Sequence, residues 1–294
     1  MMTVEPIAER IGIVGTGRVA RAFALGLRSH SRSAPLVWGR DPARAEDVVA
    51  QVGGCLTAPS LRTLAGACDI IIIAVADDAI VSVAAELAQE HLPGTQFICH
   101  LSGGSGIAPL SCLQGTETLT AAVHPAMTFT GDPRREVALM RQAHFAVTGS
   151  SPGATTVGMT LVRALGGVGV AVPEGHRPLY HAALCHAANH LVTLIAGSGD
   201  ALKLAGIDDP GAFLAPLVRA ALENSLNRSM AALSGPVLRG DTGTIASHLG
   251  AIATNAPGLM PPYRAMALAT LKALGDRRPG PGDELERLLM DDRL

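Results

Sequence analysis

Residues 10–27 read RIGIVGTGRVARAFALGL, and the fold class follows from how little side chain sits in the middle of that stretch. The run IGIV (11–14) has the apolar content of a buried strand, and from Arg18 onward apolar residues recur at helical spacing. Between them Gly15, Gly17 and Ala20 form G-x-G-x-x-A, at the strand-to-helix position where that motif binds a dinucleotide. Gly15 permits the tight turn, Gly17 lets a pyrophosphate approach the backbone, and Ala20 lets the helix lie close to the strand. The phosphates then meet free N–H groups and the partial positive charge of a helix N-terminus. Thr16, Arg18 and Val19 complete the loop and count with the two glycines as cofactor contacts. A turn built only for close packing is the bland alternative. Its place at the start of the chain, with a second strand about twenty residues later, favours the nucleotide.

Outward from this loop, short apolar runs alternate with helical patterns. The runs are IGIV (11–14), PLVWG (35–39), DIIIIAV (69–75), QFICH (96–100), TLTAAV (118–123) and HFAVTG (144–149), with helical stretches such as 42–52 and 77–90 between them. That alternation predicts βαβ units and a parallel sheet. DIIIIAV is apolar on both faces, as a central strand must be. After about residue 172 the strand signals stop, and residues 172–207 carry apolar residues at helical spacing, opened by Pro173 and closed near Gly206. Further helical patterns cover 210–233, 241–253, 258–274 and 283–291. The expected fold is α/β, a Rossmann-type parallel sheet domain over residues 1–160 followed by an all-α domain over 161–294.

Composition narrows the function classes. Of 294 residues, 48% are hydrophobic but only 3% aromatic, so the core must be made from Ala, Val, Leu and Ile. Lys and Arg number 23 against 25 Asp and Glu, a net charge of −2 without blocks of like charge. This argues against a nucleic-acid or anionic-membrane surface. Cys55, Cys68, Cys99, Cys112 and Cys185 include no C-x-x-C pair and are odd in number, which reads as reduced core thiols in a cytoplasm. The first residues lack the basic and long apolar regions of a signal peptide, and no run nears the roughly 18 apolar residues of a membrane span. A cytoplasmic protein acting on a small molecule is expected.

The end of the second strand chooses the nucleotide. In VWGRDPARAE (37–46) no carboxylate stands at the strand end; Arg40 follows, with Arg44 a turn later. A guanidinium matches the 2′-phosphate of NADP, where an acidic residue would serve the ribose of NAD. Arg40 can also be a solvated loop residue, with Asp41 capping the helix at Pro42 or approaching a ribose.

Ligands of open α/β sheets lie beyond the carboxyl ends of the strands. In VADD (75–78), Ala76 contacts the cofactor through backbone, while Asp77 or Asp78 caps the next helix. In HLSGGSG (100–106), Ser102 and Gly103 offer a hydroxyl and N–H groups to cofactor or substrate, or form a plain turn. In AVHPAMTF (122–129), His124 is held extended by Pro125 and can face the cleft or serve structure alone. YHAALCHAANH (180–190) puts His186 and His190 four apart with Asn189 on much the same face. A zinc reading is set aside because no H-E-x-x-H carboxylate accompanies them. In LSGPVLRGDTGTIASHL (233–249), Asp241 has the chemistry of an N-cap, and Arg239 suits a bidentate grip on a substrate carboxylate.

These segments together resemble a family of oxidoreductases that join a Rossmann-like N-terminal domain to a helical C-terminal domain of unknown function. The resemblance rests on GTGRVA (15–20), HLSGG (100–104), VHPAMTF (123–129), YHAALCHAANHL (180–191) and LSGPVLRGDTGTIASHL (233–249), and it spans nearly the whole chain. More distant likenesses are to 6-phosphogluconate and β-hydroxyacid dehydrogenases, pyrroline-carboxylate reductases and ketopantoate reductases. Such relatives imply hydride transfer between NADPH and a small C=O or C=N substrate, and a helical domain that dimerises. Many of them carry a lysine four residues before the helical asparagine, where this chain has Cys185 before Asn189. The resemblance makes His181 the substitute proton donor, with Asn189 orienting the reacting oxygen and His124 beside them. Helix geometry favours His186 instead, because His181 and Asn189 are separated by about 12 Å of helix rise.

The expectation is therefore an NADPH-dependent reductase of a small acid-bearing carbonyl, ketopantoate-like or another 2-keto or 3-keto acid, or of an imine, without a metal. The apolar content of 184–233 suggests a homodimer. A nucleotide-binding sensor that has lost turnover is the competing class.

Overall fold

The computed structural model describes residues 5–90, 96–113, 117–275 and 282–291. The chain divides into two compact units, residues 1–185 and 186–294. The first unit is a sheet covered by helices on both faces. Its strands are β1 (Ile11–Val14), β2 (Leu36–Trp38), β3 (Leu56–Thr57), β4 (Ile70–Ile73), β5 (Phe97–His100), β6 (Leu119–Pro125), β7 (His144–Gly149) and β8 (Val168–Ala171). Between them run α1 (Arg18–Leu27), α2 (Pro42–Val52), α3 (Leu61–Ala67), α4 (Ile80–Ala88), α5 (Pro133–Met140) and α6 (Pro152–Ala164). The spatial order is β3-β2-β1-β4-β5-β6-β7-β8. Chain connections diverge between β1 and β4, which opens the crevice where such sheets bind nucleotides.

Alternation within the strands divides the apolar side chains between two cores. In β4, Ile70 and Ile72 pack with Phe23, Leu27 and Phe145 on one face, while Ile71 and Ile73 pack with Leu64, Ile80 and Leu87 on the other. Each buried Ile contributes roughly 1.5–3 kcal/mol. In the first of these cores Phe23 packs edge-on to Phe145, with 6.5 Å between ring centroids.

The six strands expected from sequence are present, and two more join them. β3 is two residues long and exposed, too short to show a pattern. β8 reads VGVA, whose glycine sits opposite Phe145 in the register with β7. One pairing departs from the expected parallel sheet: β7 runs antiparallel to β6, with His124 opposite Ala146. After α5 the chain re-enters at the carboxyl end of β6, where Ala126 N–H donates to His144 O.

Beyond β8 the chain is helical. Helix α7 (Arg177–Leu204) begins in the first unit and continues into the second. The second unit adds α8 (Pro210–Arg228), α9 (Pro236–Arg239), α10 (Thr242–Asn255), α11 (Met260–Leu274) and α12 (Gly282–Met290). All but the four-residue α9 follow the helical patterns read from the sequence to within a few residues. Its core is small: Ile245 and Leu249 meet Ala267, Leu271, Leu285 and Leu289. Leu217 and Leu226 of α8 and Val192 of α7 are instead exposed, at 66%, 76% and 69%. Among the described residues, no helix is long and apolar enough to cross a membrane.

Candidate functional site

At the carboxyl end of β1 the chain turns through Gly15 with φ +131°, and a Cβ there would stand 2.2 Å from Ala74 O. Only glycine fits this position. Gly15 N–H donates to Trp38 O and Ala74 N–H to Val14 O, tying the turn to its neighbours on both sides. Gly17 is the N-cap of α1 and provides no side-chain cap; a Cβ on it would meet nothing within 4 Å. The first-turn N–H groups of α1 are thus left to a ligand, and the space before them is clear. They open onto a cleft of about 540 Å³ lined by Gly15, Thr16, Gly17, Arg18 and Val19, by Trp38 to Asp41 with Arg44, and by Ala74 to Asp77. Gly39 is part of the same fit, since a Cβ on it would lie 2.6 Å from Thr16 Cγ2.

The residues present fit a phosphorylated dinucleotide. Asp41 accepts from Ala43 N–H at 3.1 Å as the N-cap of α2, and its other oxygen pairs with Arg44 Nε at 3.5 Å. Its carboxylate is thereby occupied. Arg40 lines the cleft and makes no ion pair among the described residues. Arg18 Nη1 donates to Phe129 O, which holds the loop after β6 against the start of α1. The cleft is lined by the guanidinium groups of Arg18, Arg40 and Arg44 and by the carboxylates of Asp41, Asp77 and Glu86; Arg40, just past β2 and in no ion pair among the described residues, offers the planar donors that match a 2′-phosphate.

One expectation at this rim is corrected. Asp77 and Asp78 do not cap the helix that follows: neither the short turn Asp77–Ala79 nor α4 has a side-chain cap. Asp77 instead accepts from Ser102 Oγ at 2.7 Å. The bond is charge-assisted, and it ties the turn after β4 to the loop after β5. Ser102 Oγ also accepts from Ser105 N–H at 3.2 Å, and Ser102 N–H donates to His100 Nδ1 at 3.1 Å. Because Nδ1 accepts, His100 carries its proton on Nε2 and donates to Gly106 O at 2.5 Å. Burial is the main cause that holds this imidazole below its ordinary pKa, and so neutral.

Just beyond, the ends of β5 and β6 meet the first turns of α7. His124 Nδ1 lies 2.9 Å from Tyr180 Oη, with the two rings nearly perpendicular. His181 stacks edge-on to His124 at 5.7 Å between centroids, and its Nε2 is 3.6 Å from Cys185 Sγ. Gly103 is the space between the histidines: a Cβ there would stand 2.5 Å from His181 Cδ2 and 2.9 Å from His124 Nε2. Burial, then the charges of Arg177 and His181, pushes the pKa of His124 down to about 4. Arg177 is fully buried, and its guanidinium donates to Ser102 O, Ser105 O and Ala146 O. Burial lowers its pKa, while Tyr180 and Glu174 oppose that. Glu174 accepts from Ile107 N–H at 2.8 Å, an approach that a side chain at Gly106 would block.

Of the residues singled out from sequence, Ser102, Gly103, His124 and His181 thus come together, and the loop residues with Arg40 and Ala76 line the cleft. Asn189 and Arg239 belong to the second unit. There Asn189 O accepts from Thr193 Oγ1, Arg239 ends α9, and Asp241 caps α10 through Thr244 N–H at 2.9 Å, as expected. His186 and His190 hydrogen-bond through their Nδ1 atoms at 2.9 Å. Three participants had no sequence signal that separated them from surface residues: Arg177, Tyr180 and His100. The hint available was that all three fall inside or beside segments already marked for their neighbours.

Two families match the chain. Residues 10–102 match the family described as NADP oxidoreductase, coenzyme F420-dependent, and residues 143–270 match a domain of unknown function, DUF2520. No curated protein sequence matches. Among solved structures, a candidate NADP oxidoreductase of Bacteroides fragilis superposes with a TM-score of 0.74 at 18% identity, over 90% of this chain and 98% of that one. A pyrroline-5-carboxylate reductase of Streptococcus pyogenes gives 0.61 at 19% identity, over 95% and 98%. A reductive aminase of Aspergillus terreus, solved with NADPH and ethyl-5-oxohexanoate, gives 0.66 at 19% identity, over 94% and 98%. These structural likenesses establish the fold.

Proposed function

We propose, for a chain that belongs to the oxidoreductases joining a Rossmann-type NADP domain to a DUF2520 domain, that it reduces a small acid-bearing carbonyl or imine. The observation that carries this reading is the meeting of Ser102, Gly103, His124 and His181 past the ends of β5 and β6, with Ser102 hydrogen-bonded to Asp77 of the cofactor cleft. Bound NADPH would supply hydride to the electrophilic carbon. The chain's own groups must then bind the acid, orient the reacting oxygen or nitrogen, and deliver a proton to it.

His181 is assigned the proton, since an imidazole in this cluster can act as general acid toward the reacting oxygen or nitrogen. Asn189 suits the orienting role, because its amide donates without adding charge. Arg239 and the Ser102–Gly103 loop are assigned to the substrate's carboxylate. Arg40 is assigned to the 2′-phosphate of the cofactor. Two of the structural relatives are named for C=N chemistry, a pyrroline-5-carboxylate reductase and a reductive aminase, which supports placing imines beside keto acids among the substrates.

We further assign the exposed apolar face of α7 and α8 to a homodimer. A groove of about 400 Å³ there is lined by Leu191, Leu194, Ile195, Leu214, Leu217 and Leu222, and exposed apolar surface of this extent marks an association site. The free thiols of all five cysteines fit a cytoplasmic setting. NADPH consumption measured across 2-keto acids, 3-keto acids and cyclic imines tests the central reading. Turnover of at least one class is expected, and absence of turnover on every class would leave a nucleotide sensor as the better account.

A further inference from the structure

Each polar group of the buried Ser102 is engaged inside the protein. Its N–H donates to His100 Nδ1 at 3.1 Å, and its carbonyl accepts from Arg177 Nη2 at 3.4 Å. Its hydroxyl accepts from Ser105 N–H at 3.2 Å and donates to Asp77 Oδ2 at 2.7 Å. Chemistry fixes these directions, since an amide N–H only donates and an ionised carboxylate only accepts. The one hydroxyl proton is thus committed to Asp77, and Ser102 acts through that carboxylate.

Asp77 is placed differently. It is exposed on the turn after β4 and lines the cofactor cleft. While Oδ2 takes the Ser102 proton, Oδ1 makes no hydrogen bond among the described residues. In the sheet β4 lies between β1 and β5, and its end abuts the phosphate turn: a Cβ on Gly15 would lie 2.2 Å from Ala74 O and 3.5 Å from Val75 Cγ1. A dinucleotide with its 2′-phosphate at Arg40, past β2, and its pyrophosphate at the glycine turn, past β1, continues toward the end of β4, one strand spacing of about 4.8 Å further on. The group that follows the pyrophosphate is the second ribose, the one that bears the nicotinamide. A carboxylate repels phosphate and accepts from hydroxyls, so what suits Asp77 at this point is that ribose.

We propose that Asp77 accepts a hydrogen bond from a hydroxyl of the nicotinamide-side ribose through Oδ1, and that Ser102 is a positioning residue that holds the carboxylate for this contact through Oδ2. Without the Ser102 bond the Asp77 side chain, on an exposed turn, would be ordered anew at each binding event, at a cost in rotamer entropy. The proposal concerns the nucleotide alone, so it stands or falls apart from the reaction assigned above.

Calorimetric titration of the full chain with two fragments of the cofactor tests it: 2′-phospho-ADP-ribose, which has the second ribose without nicotinamide, and 2′-phospho-ADP, which lacks that ribose. The readout is the ratio of their Kd values, because loss of a carboxylate acts on the phosphates of both. The native protein should prefer the ribose-bearing fragment. Asp77→Ala should cut that preference about tenfold, the effect of one charge-assisted hydrogen bond. Ser102→Ala should cut it severalfold, and the double variant should lose no more than Asp77→Ala alone. A ratio that survives Asp77→Ala would overturn the ribose contact, including the case in which NADPH itself binds more weakly, since the carboxamide would then be the partner. A ratio that survives Ser102→Ala, or losses that add in the double variant, would overturn the positioning role. Should Ser102→Ala fail to fold, Ser102→Cys, of similar shape with a far weaker donor, takes its place under the same expectations.

Discussion

The phosphate cradle and the histidine cluster adjoin in the first unit but are made of different material. From Gly15 to the first turn of α1 the working groups are backbone N–H donors, exposed because side chains are missing. Around His124 the working groups are side chains, contributed by β6, the loop after β5 and the start of α7, and braced by a buried arginine that binds carbonyls. A backbone site recognises charge and shape common to all dinucleotides. A side-chain site can be retuned one residue at a time, which is the property that selection among substrates needs.

The contrast can be broken at its strongest point first. His181→Ala should lower turnover about 10²–10⁴-fold with NADPH affinity nearly unchanged. If His186→Ala rather than His181→Ala abolishes turnover, the cluster is not the proton source. Next in size, Gly15→Ala should destabilise the fold by about 3 kcal/mol or more in a denaturant titration, since it adds a backbone collision to a forbidden φ. Gly17→Ala sharpens the comparison: its Cβ meets nothing, so stability should hold while nucleotide affinity falls. Equal melting curves for both glycine variants would refute the distinction.

A smaller effect is expected from Arg40→Ala, about 1–3 kcal/mol of binding lost for NADPH and little for NADH. Titration giving equal native affinities for the two cofactors would remove that assignment. A further expectation concerns acid. The folded pKa of His124 is about 4, below the ordinary value near about 6.5 of the unfolded chain. Between those values the unfolded state binds more protons, so stability is full above the upper one and declines as pH falls through the window. His100 shifts in the same direction. Stability that is flat from about pH 7 to 4 would count against both buried neutral rings.

The cradle was legible in the sequence because its residues are contiguous and each glycine has a separate steric reason. The cluster was legible only in pieces. His124 and His181 drew notice separately, one by its proline and the other through a resemblance, but nothing in either segment says that the rings touch. Arg177 was invisible for a sharper reason. Its partners are carbonyl oxygens of Ser102, Ser105 and Ala146, and a carbonyl is present at every position whatever the letter. Asp77 was misread because capping is the commonest local use of an aspartate before a helix, whereas its actual partner, Ser102, comes from the next strand's loop. The reversed β7 had no such local sign, since its apolar run reads the same in either direction.

The cofactor cleft also contains the chain's single tryptophan. Trp38 ends β2 and lines the cleft beside Gly39 and Arg40. An indole emits in the band where a reduced nicotinamide absorbs, so the native protein carries its own energy-transfer donor at the place where the nucleotide would settle. Excited at the indole, the unlabelled chain should dim as NADPH is added while the nucleotide's own blue emission rises, a signal that cannot arise from any other tryptophan.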